Sequence, residues 1–225
     1  MSPSSDPFWS NPPQHCKGLT MSDLVFYTHP QSRGRIVRWM LEECEAPYQT
    51  EIVHYGLQMK TPPYTDINPM GKVPAIVHQG RVVTECAAII AYLADVFAAA
   101  ALAPPAAQRQ DYYRWLFFAA GPFEQATTNN ALGFVVSEEK QRMVGYGNFD
   151  LVVNTLARAV SAHPYIAGDH FSAADVYVGS QIGYGLQFGT LPDRAEFRDY
   201  FARLENRPAR LRATQMDDAL INKPV

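Results

Sequence analysis

Ser32 heads the run SRGR, just ahead of a stretch whose apolar residues recur at helical spacing. A hydroxyl in that place sits beside the unpaired amides and positive pole of a helix, with Arg33 next to it, and such a position favours an anion. The same serine also suits the plainer task of capping the helix. Further along, NPMGKVPAI puts Pro74 at the head of a strand-like run. Proline has no amide proton for a ladder and belongs at an edge or a strand start, so something other than sheet building is wanted there. Other reactive groups are scattered. Cys16, Cys44 and Cys86 are odd in number and lack C-x-x-C spacing, and the six histidines never recur at the spacing of metal ligands. No metal site is expected, and a reducing cytoplasm is the simplest compartment.

The elements that must position these groups can be read along the chain. LVFYT (24–28) reads as a strand, and Ile36, Val37, Met40, Leu41 and Cys44 follow at helical spacing. QTEIVHY (49–55) reads as a second strand, after a break at Pro47. Beyond the proline-rich TPPYTDINP, the runs PAIVH and RVVTE flank Gln79-Gly80, a two-residue hairpin turn. CAAIIAYLADVF then places Ile89, Leu93 and Phe97 on one helical face. This order, β-α-β, hairpin, helix, predicts a thioredoxin-like sheet domain over 22–98. Pro104-Pro105 marks a linker at 99–106, and 107–225 contains no convincing strand. That second domain is expected to be all helical: QRQDYYRWLFFAAGPFEQATTN with a bend at Gly121-Pro122, SEEKQRMVGYGNFDLVVNTLARAVSA as continuing helix, and RAEFRDYFARLENRP as a last helix stopped near Pro208. Within it, Ser172 and Asp175 have capping-box spacing, and Phe171 can staple onto Val176. Residues 1–21 are expected to be a loose tail, with Met21 an alternative start.

Composition narrows the function classes. With 47% hydrophobic residues and 12% aromatics the chain can build substantial cores, while a net charge of −3 offers no footprint for nucleic acid. No apolar run approaches the roughly 18 residues of a membrane span.

FYTHPQSRGRIVRWMLEE, NPMGKVPAI, VVTECAAIIAYLAD and FSAADVYV, in this order and spacing, resemble the cytosolic glutathione S-transferases of bacterial type. The resemblance runs from residue 22 to about 213. It implies an α/β thioredoxin-like N-terminal domain followed by an all-α C-terminal domain, with glutathione as co-substrate. It further implies a cis Val73-Pro74 bond, with the main chain of Val73 pairing with the cysteinyl part of the tripeptide as a small extra strand. Glu85 and Cys86 fall where the family grips the γ-glutamyl end: the α-carboxylate at a helix N-terminus, the ammonium at Glu85. Serine is usual at position 86, so Cys86 is either an inert substitution or, at a helix start, a reactive thiol. Lys72 either reaches the glycine carboxylate or is a solvated surface lysine.

The family activates the thiol with one hydroxyl near the end of the first strand, and here the candidates are Ser32, Tyr27 and Thr28. Ser32 is preferred for its helix-terminal setting, while ungapped alignment keeps Tyr27 in view. Tyr113 and Phe117, from the aromatic-rich helix that opens the helical domain, are the expected contacts for a small hydrophobic electrophile. The resemblance thus implies a homodimeric detoxification enzyme that conjugates glutathione or reduces organic hydroperoxides. An isomerase or dehalogenase of the same fold, and a non-catalytic binding protein, are the alternatives.

Overall fold

The computed structural model describes residues 23–221. The expected tail and the alternative start at Met21 lie outside the described residues. A four-stranded sheet in the order β2-β1-β3-β4 is built from β1 (Leu24–Thr28), β2 (Gln49–Ile52), β3 (Ala75–His78) and β4 (Arg81–Thr84). β1 runs parallel to β2 and antiparallel to β3, with Tyr27 opposite Ala75. Pro74 therefore precedes β3 immediately, where its missing amide leaves no gap in the ladder. The β3–β4 turn has both Gln79 and Gly80 at positive φ (51° and 74°), which matches the twist of a two-residue hairpin.

Between β1 and β2 lies α1 (Gly34–Glu43), and α4 (Cys86–Val96) follows β4. A Cβ on Gly34 would fall 1.9 Å from the Thr28 hydroxyl oxygen, so glycine is what lets α1 start this close to β1. Between β2 and β3 lie two single-turn helices that periodicity could not show, α2 (Leu57–Lys60) just ahead of TPPYTDINP and α3 (Tyr64–Ile67) within it. They close a small apolar cluster of Val53, Met59 and Tyr64 against Tyr27, Ile67 and Val73.

The remainder is helical, as expected, with three differences. α5 (Gln110–Phe118) continues through a π turn (Ala119–Phe123) into α6 (Glu124–Ala131), so Pro122 is absorbed by a wider turn. The predicted helix over 137–162 is divided: Glu138–Met143 forms a 3-10 helix, and the α-helix begins only at α7 (Phe149–Ala162), because Gly147 takes φ 69° and the Asn148 side chain accepts from the Leu151 amide at 2.8 Å. After α8 (Ala173–Phe188) and α9 (Ala195–Ala202), Pro208 starts a helix instead of ending one. It opens α10 (Pro208–Ile221), because the first turn of a helix does not use its amides. The capping box at Ser172 and Asp175 is formed, and Asp175 also accepts from the Tyr200 hydroxyl (2.7 Å) and the Ile166 amide (2.8 Å). Phe171 lies against Trp39 and Tyr165.

One apolar core runs continuously from Leu24 and Phe26 in the sheet to Leu204 and Ala213 in the last helices. Through it passes a buried ion pair, Arg38 Nε to Asp217 Oδ1 at 2.8 Å, which joins α1 to α10. Arg38 further donates to Tyr48 and Thr50, each at 3.2 Å, and its guanidinium faces the Phe26 ring. Burial pushes the Asp217 carboxyl up against the pull of Arg38. Breaking such a pair on one side strands a buried charge, whereas replacing both sides by apolar groups does not. Asp217→Leu is therefore expected to lower stability by about 3–5 kcal/mol in urea titrations, with the double change Arg38→Met/Asp217→Leu recovering most of the loss. Equal midpoints for the wild type and the single variant would show that the pair does not hold α10 in place.

Candidate functional site

Two hollows meet at the N-terminal end of α1. The smaller, about 310 Å³, is lined by Arg33, Asn68, Lys72, Val73, Pro74, Glu85 and Cys86, and closed by Ala120, Glu124 and Tyr177 from the helical part. The larger, about 1100 Å³, lies between α1 and helices α6, α8, α9 and α10. Its wall includes Ser32, Arg35, Trp39, Phe123, Tyr184, Phe188, Phe201 and Arg210. Arg33 and Glu124 line both hollows and are joined by an ion pair at 2.8 Å.

In the smaller hollow the Val73-Pro74 bond is cis. The preceding carbonyl, of Lys72, is tied by the Tyr64 hydroxyl (2.5 Å) and the Asn68 side-chain amide (2.8 Å). The N–H and C=O of Val73 itself take no hydrogen bond among the described residues. Such a half-buried strand edge can pair with an extended peptide. Lys72 is exposed and makes no ion pair among the described residues. Glu85 is held at φ 66°, ψ 119°, a sparsely populated region for a residue with a side chain, and the carboxylate is exposed beside the hollow. No side chain caps α4, which leaves the first amides, those of Cys86 and Ala87, without helical partners where they line the hollow. The result is an extended edge, an uncapped helix start and a carboxylate within one small cleft.

Cys86 is buried, and its thiol points at the Arg33 carbonyl 3.9 Å away. Burial, with Glu124 adding to it, pushes this thiol far up in spite of its place at a helix start. Desolvation outweighs the helix here, so the geometry favours the inert reading.

The three candidate hydroxyls part company. Ser32 is half-buried in the wall of the larger hollow; its Oγ donates to the His29 carbonyl (2.6 Å) and accepts from the Gly34 amide (2.9 Å). Thr28 is fully buried against Gly34 and lines neither hollow. Tyr27 packs into the small cluster, 5.9 Å from the Tyr64 ring, also outside both hollows, and burial raises its pKa. Tyr113 and Phe117 lie on an outer face of α5, 40% and 71% exposed, and neither hollow includes them. The aromatic wall comes from Phe123, Tyr184, Phe188 and Phe201 instead. Only Phe123 belonged to the aromatic run expected to supply it, and Glu124, the wall of both hollows, had no sequence signal beyond its place just after Gly121-Pro122.

Among the described residues there is no cluster of His, Cys, Asp or Glu fit to hold a metal, and no helix is long and apolar enough to cross a membrane. Native iodoacetamide labelling at mildly alkaline pH, mapped by peptide mass, is expected to leave Cys86 unmodified, with full labelling once urea is added. Cys44, whose thiol burial pushes up to about 12, should behave alike. Rapid native labelling of Cys86 would restore the reactive reading.

Comparison with known proteins agrees with this geometry. The family model for the glutathione S-transferase N-terminal domain matches residues 32–96. Glutathione S-transferase 3 of Schizosaccharomyces pombe is 27% identical over 173 residues, covering 68% of this chain and 70% of the relative. The theta class enzyme of Xanthomonas axonopodis pv. citri, solved with glutathione bound, superposes with a TM-score of 0.67 at 26% identity, over 86% of this chain and 98% of its own. A glutathione transferase of Methylococcus capsulatus shares the fold, with a TM-score of 0.72 at 24% identity over 87% and 99%. The matched segment carries Ser32, Val73, Pro74 and Glu85, the residues around which both hollows are built, and the likeness of fold to glutathione transferases extends through the helical part.

Proposed function

We propose that this protein conjugates glutathione to small hydrophobic electrophiles, with Ser32 supplying the hydrogen bond that keeps the bound sulfur ionised. The observation that carries the reading is the smaller hollow itself. An unpaired main-chain edge at Val73, the open start of α4 and the Glu85 carboxylate match the extended backbone, α-carboxylate and ammonium of a γ-glutamyl tripeptide. Lys72, at the same wall, suits the glycine carboxylate. The sulfur then lies toward the N-terminal end of α1, where the larger hollow begins.

Ser32 is suited to the task by what already holds it. Turning its proton from the His29 carbonyl to a thiolate exchanges one hydrogen bond for a charge-assisted one, while the Gly34 amide keeps the oxygen in place. A free thiol near 8.5 would be brought to about 6.5–7.5 by a hydrogen bond worth about 1.5–3 kcal/mol to the charged form. The thiolate attacks the electrophilic carbon, a C–S bond forms, and a leaving group such as chloride departs with its electron pair. The thiol proton has gone to solvent beforehand. With an organic hydroperoxide the same thiolate attacks the terminal oxygen, the O–O bond breaks and the alcohol leaves after taking a proton from solvent, and the glutathione sulfenic acid so formed reacts with a second glutathione to give the disulfide and water. The family resemblance further favours a homodimer working in the cytoplasm, and the outer α5 face with Tyr113 and Phe117 is available for contact between copies.

Ser32→Ala is expected to lower conjugation of a chlorinated nitrobenzene at neutral pH by about 10- to 100-fold, with its pH–rate profile moved toward the free thiol value. Glutathione affinity by calorimetry should change little, while Tyr27→Phe leaves both quantities near wild type. Glu85→Gln should instead weaken glutathione binding by about 10-fold. Absence of any heat of binding with glutathione would overturn the reading, and a larger rate loss in Tyr27→Phe than in Ser32→Ala would transfer the role to the tyrosine.

A further inference from the structure

The charges along the larger hollow balance in number but not in pairing. Its wall carries Arg33, Arg35 and Arg210 against Glu124, Asp217 and Asp218. Glu124 is taken by Arg33 at 2.8 Å, Asp218 by Arg35 at 2.5 Å, and Asp217 by the buried Arg38 at 2.8 Å. Arg210 is left without a carboxylate partner among the described residues. Its Nη1 donates to the main-chain carbonyl of Glu205 at 2.8 Å, and neither Nε nor Nη2 has an acceptor among the described residues. The guanidinium is half-buried and lies over the rings of Phe201 (4.9 Å) and Trp39 (5.8 Å), both of which also line the hollow.

A guanidinium cannot shed its proton to relieve this, so a positive charge is drawn partly out of water with a carbonyl and two ring faces in contact and the Glu205 carboxylate near but not paired. Burial lowers its proton affinity, as expected of a cation short of counter-charge. The two unused donors, Nε and Nη2, form one edge of the fork, the edge that takes a carboxylate side-on through two parallel hydrogen bonds. Arg210 does not line the smaller hollow, so the carboxylates of a tripeptide seated there are not its partner.

We propose that Arg210 is a specificity residue for the second substrate: it binds a carboxylate on an electrophile whose apolar part lies along Phe201, Tyr184 and Phe188. This rests on the transferase reading and narrows it, from hydrophobic electrophiles in general to those bearing an anionic group at one end. The aromatic shelf supplies apolar contact and Arg210 fixes which end of the substrate turns away from the sulfur.

The test compares a chlorodinitrobenzoate with its uncharged methyl ester as electrophiles, in wild type, Arg210→Met and Arg210→Lys. In parallel, the unreactive pair dinitrobenzoate and dinitrobenzamide is titrated by calorimetry. In Arg210→Met the KM for the carboxylate is expected to rise by about 10- to 100-fold and that for the ester to stay within about 2-fold, with Lys intermediate because it keeps the charge but not the fork. Calorimetry should show the same preference for the acid over the amide, lost in Arg210→Met. If both electrophiles are conjugated alike and Arg210→Met changes neither, the assignment of Arg210 falls while the transferase reading stands. If the carboxylate is bound through Arg210 but neither electrophile reacts, the assignment stands and the transferase reading falls.

Discussion

The carbonyl of Lys72 accepts two hydrogen bonds, from the Tyr64 hydroxyl and the Asn68 side chain, and the geometry of the smaller hollow depends on it. With that carbonyl held, the chain cannot swing into the sheet before Pro74, and Val73 keeps its main chain at the edge of the cleft. The register of β3 against β1, Ala75 opposite Tyr27, then sets the depth of this edge relative to the turn that carries Ser32. Tyr64 is a constant donor because a phenol keeps its proton through the ordinary pH range, and burial pushes its pKa further up. The two single-turn helices and the small cluster of Val53 and Met59 exist, in this light, to hold Tyr64 in place.

A second constraint acts across the join between sheet and helices. Arg33 and Glu124 meet where the two hollows touch, and Glu124 also receives the Tyr177 hydroxyl at 3.3 Å. Partly exposed pairs of this kind contribute about 1 kcal/mol or less, so this contact does not hold the parts together. The continuous apolar core and the buried Arg38–Asp217 pair do that. What Arg33 and Glu124 contribute is the position of two opposite charges beside the place where a bound sulfur would face an electrophile.

Much of the sheet could be read from the sequence because its signals are local. The short apolar runs, the Gln79-Gly80 turn and the helical spacing after Ser32 each lie within a few residues and are found in the expected order, although β2 stops at Ile52, short of the expected 49–55. The misread helices fail for equally local reasons that periodicity does not weigh. Gly147 at positive φ delays one helix until the Asn148 cap, and Pro208, at a first-turn position, opens another. The aromatic wall was misplaced for a different reason. α5 is rich in rings, yet which face of it meets a hollow is settled by packing against other helices, and Tyr113 and Phe117 are on the face turned away.

By itself the sequence determined the order of elements, the strand-start proline, and the capping box at Ser172 and Asp175. All of these follow from backbone geometry over a handful of neighbouring positions. Only the tertiary structure decided which hydroxyl faces a hollow, that Cys86 is desolvated beyond easy ionisation, and that Arg210 lines the larger hollow with no carboxylate partner among the described residues. Those outcomes depend on distances between residues far apart in the chain, and no local pattern encodes a distance that packing alone creates.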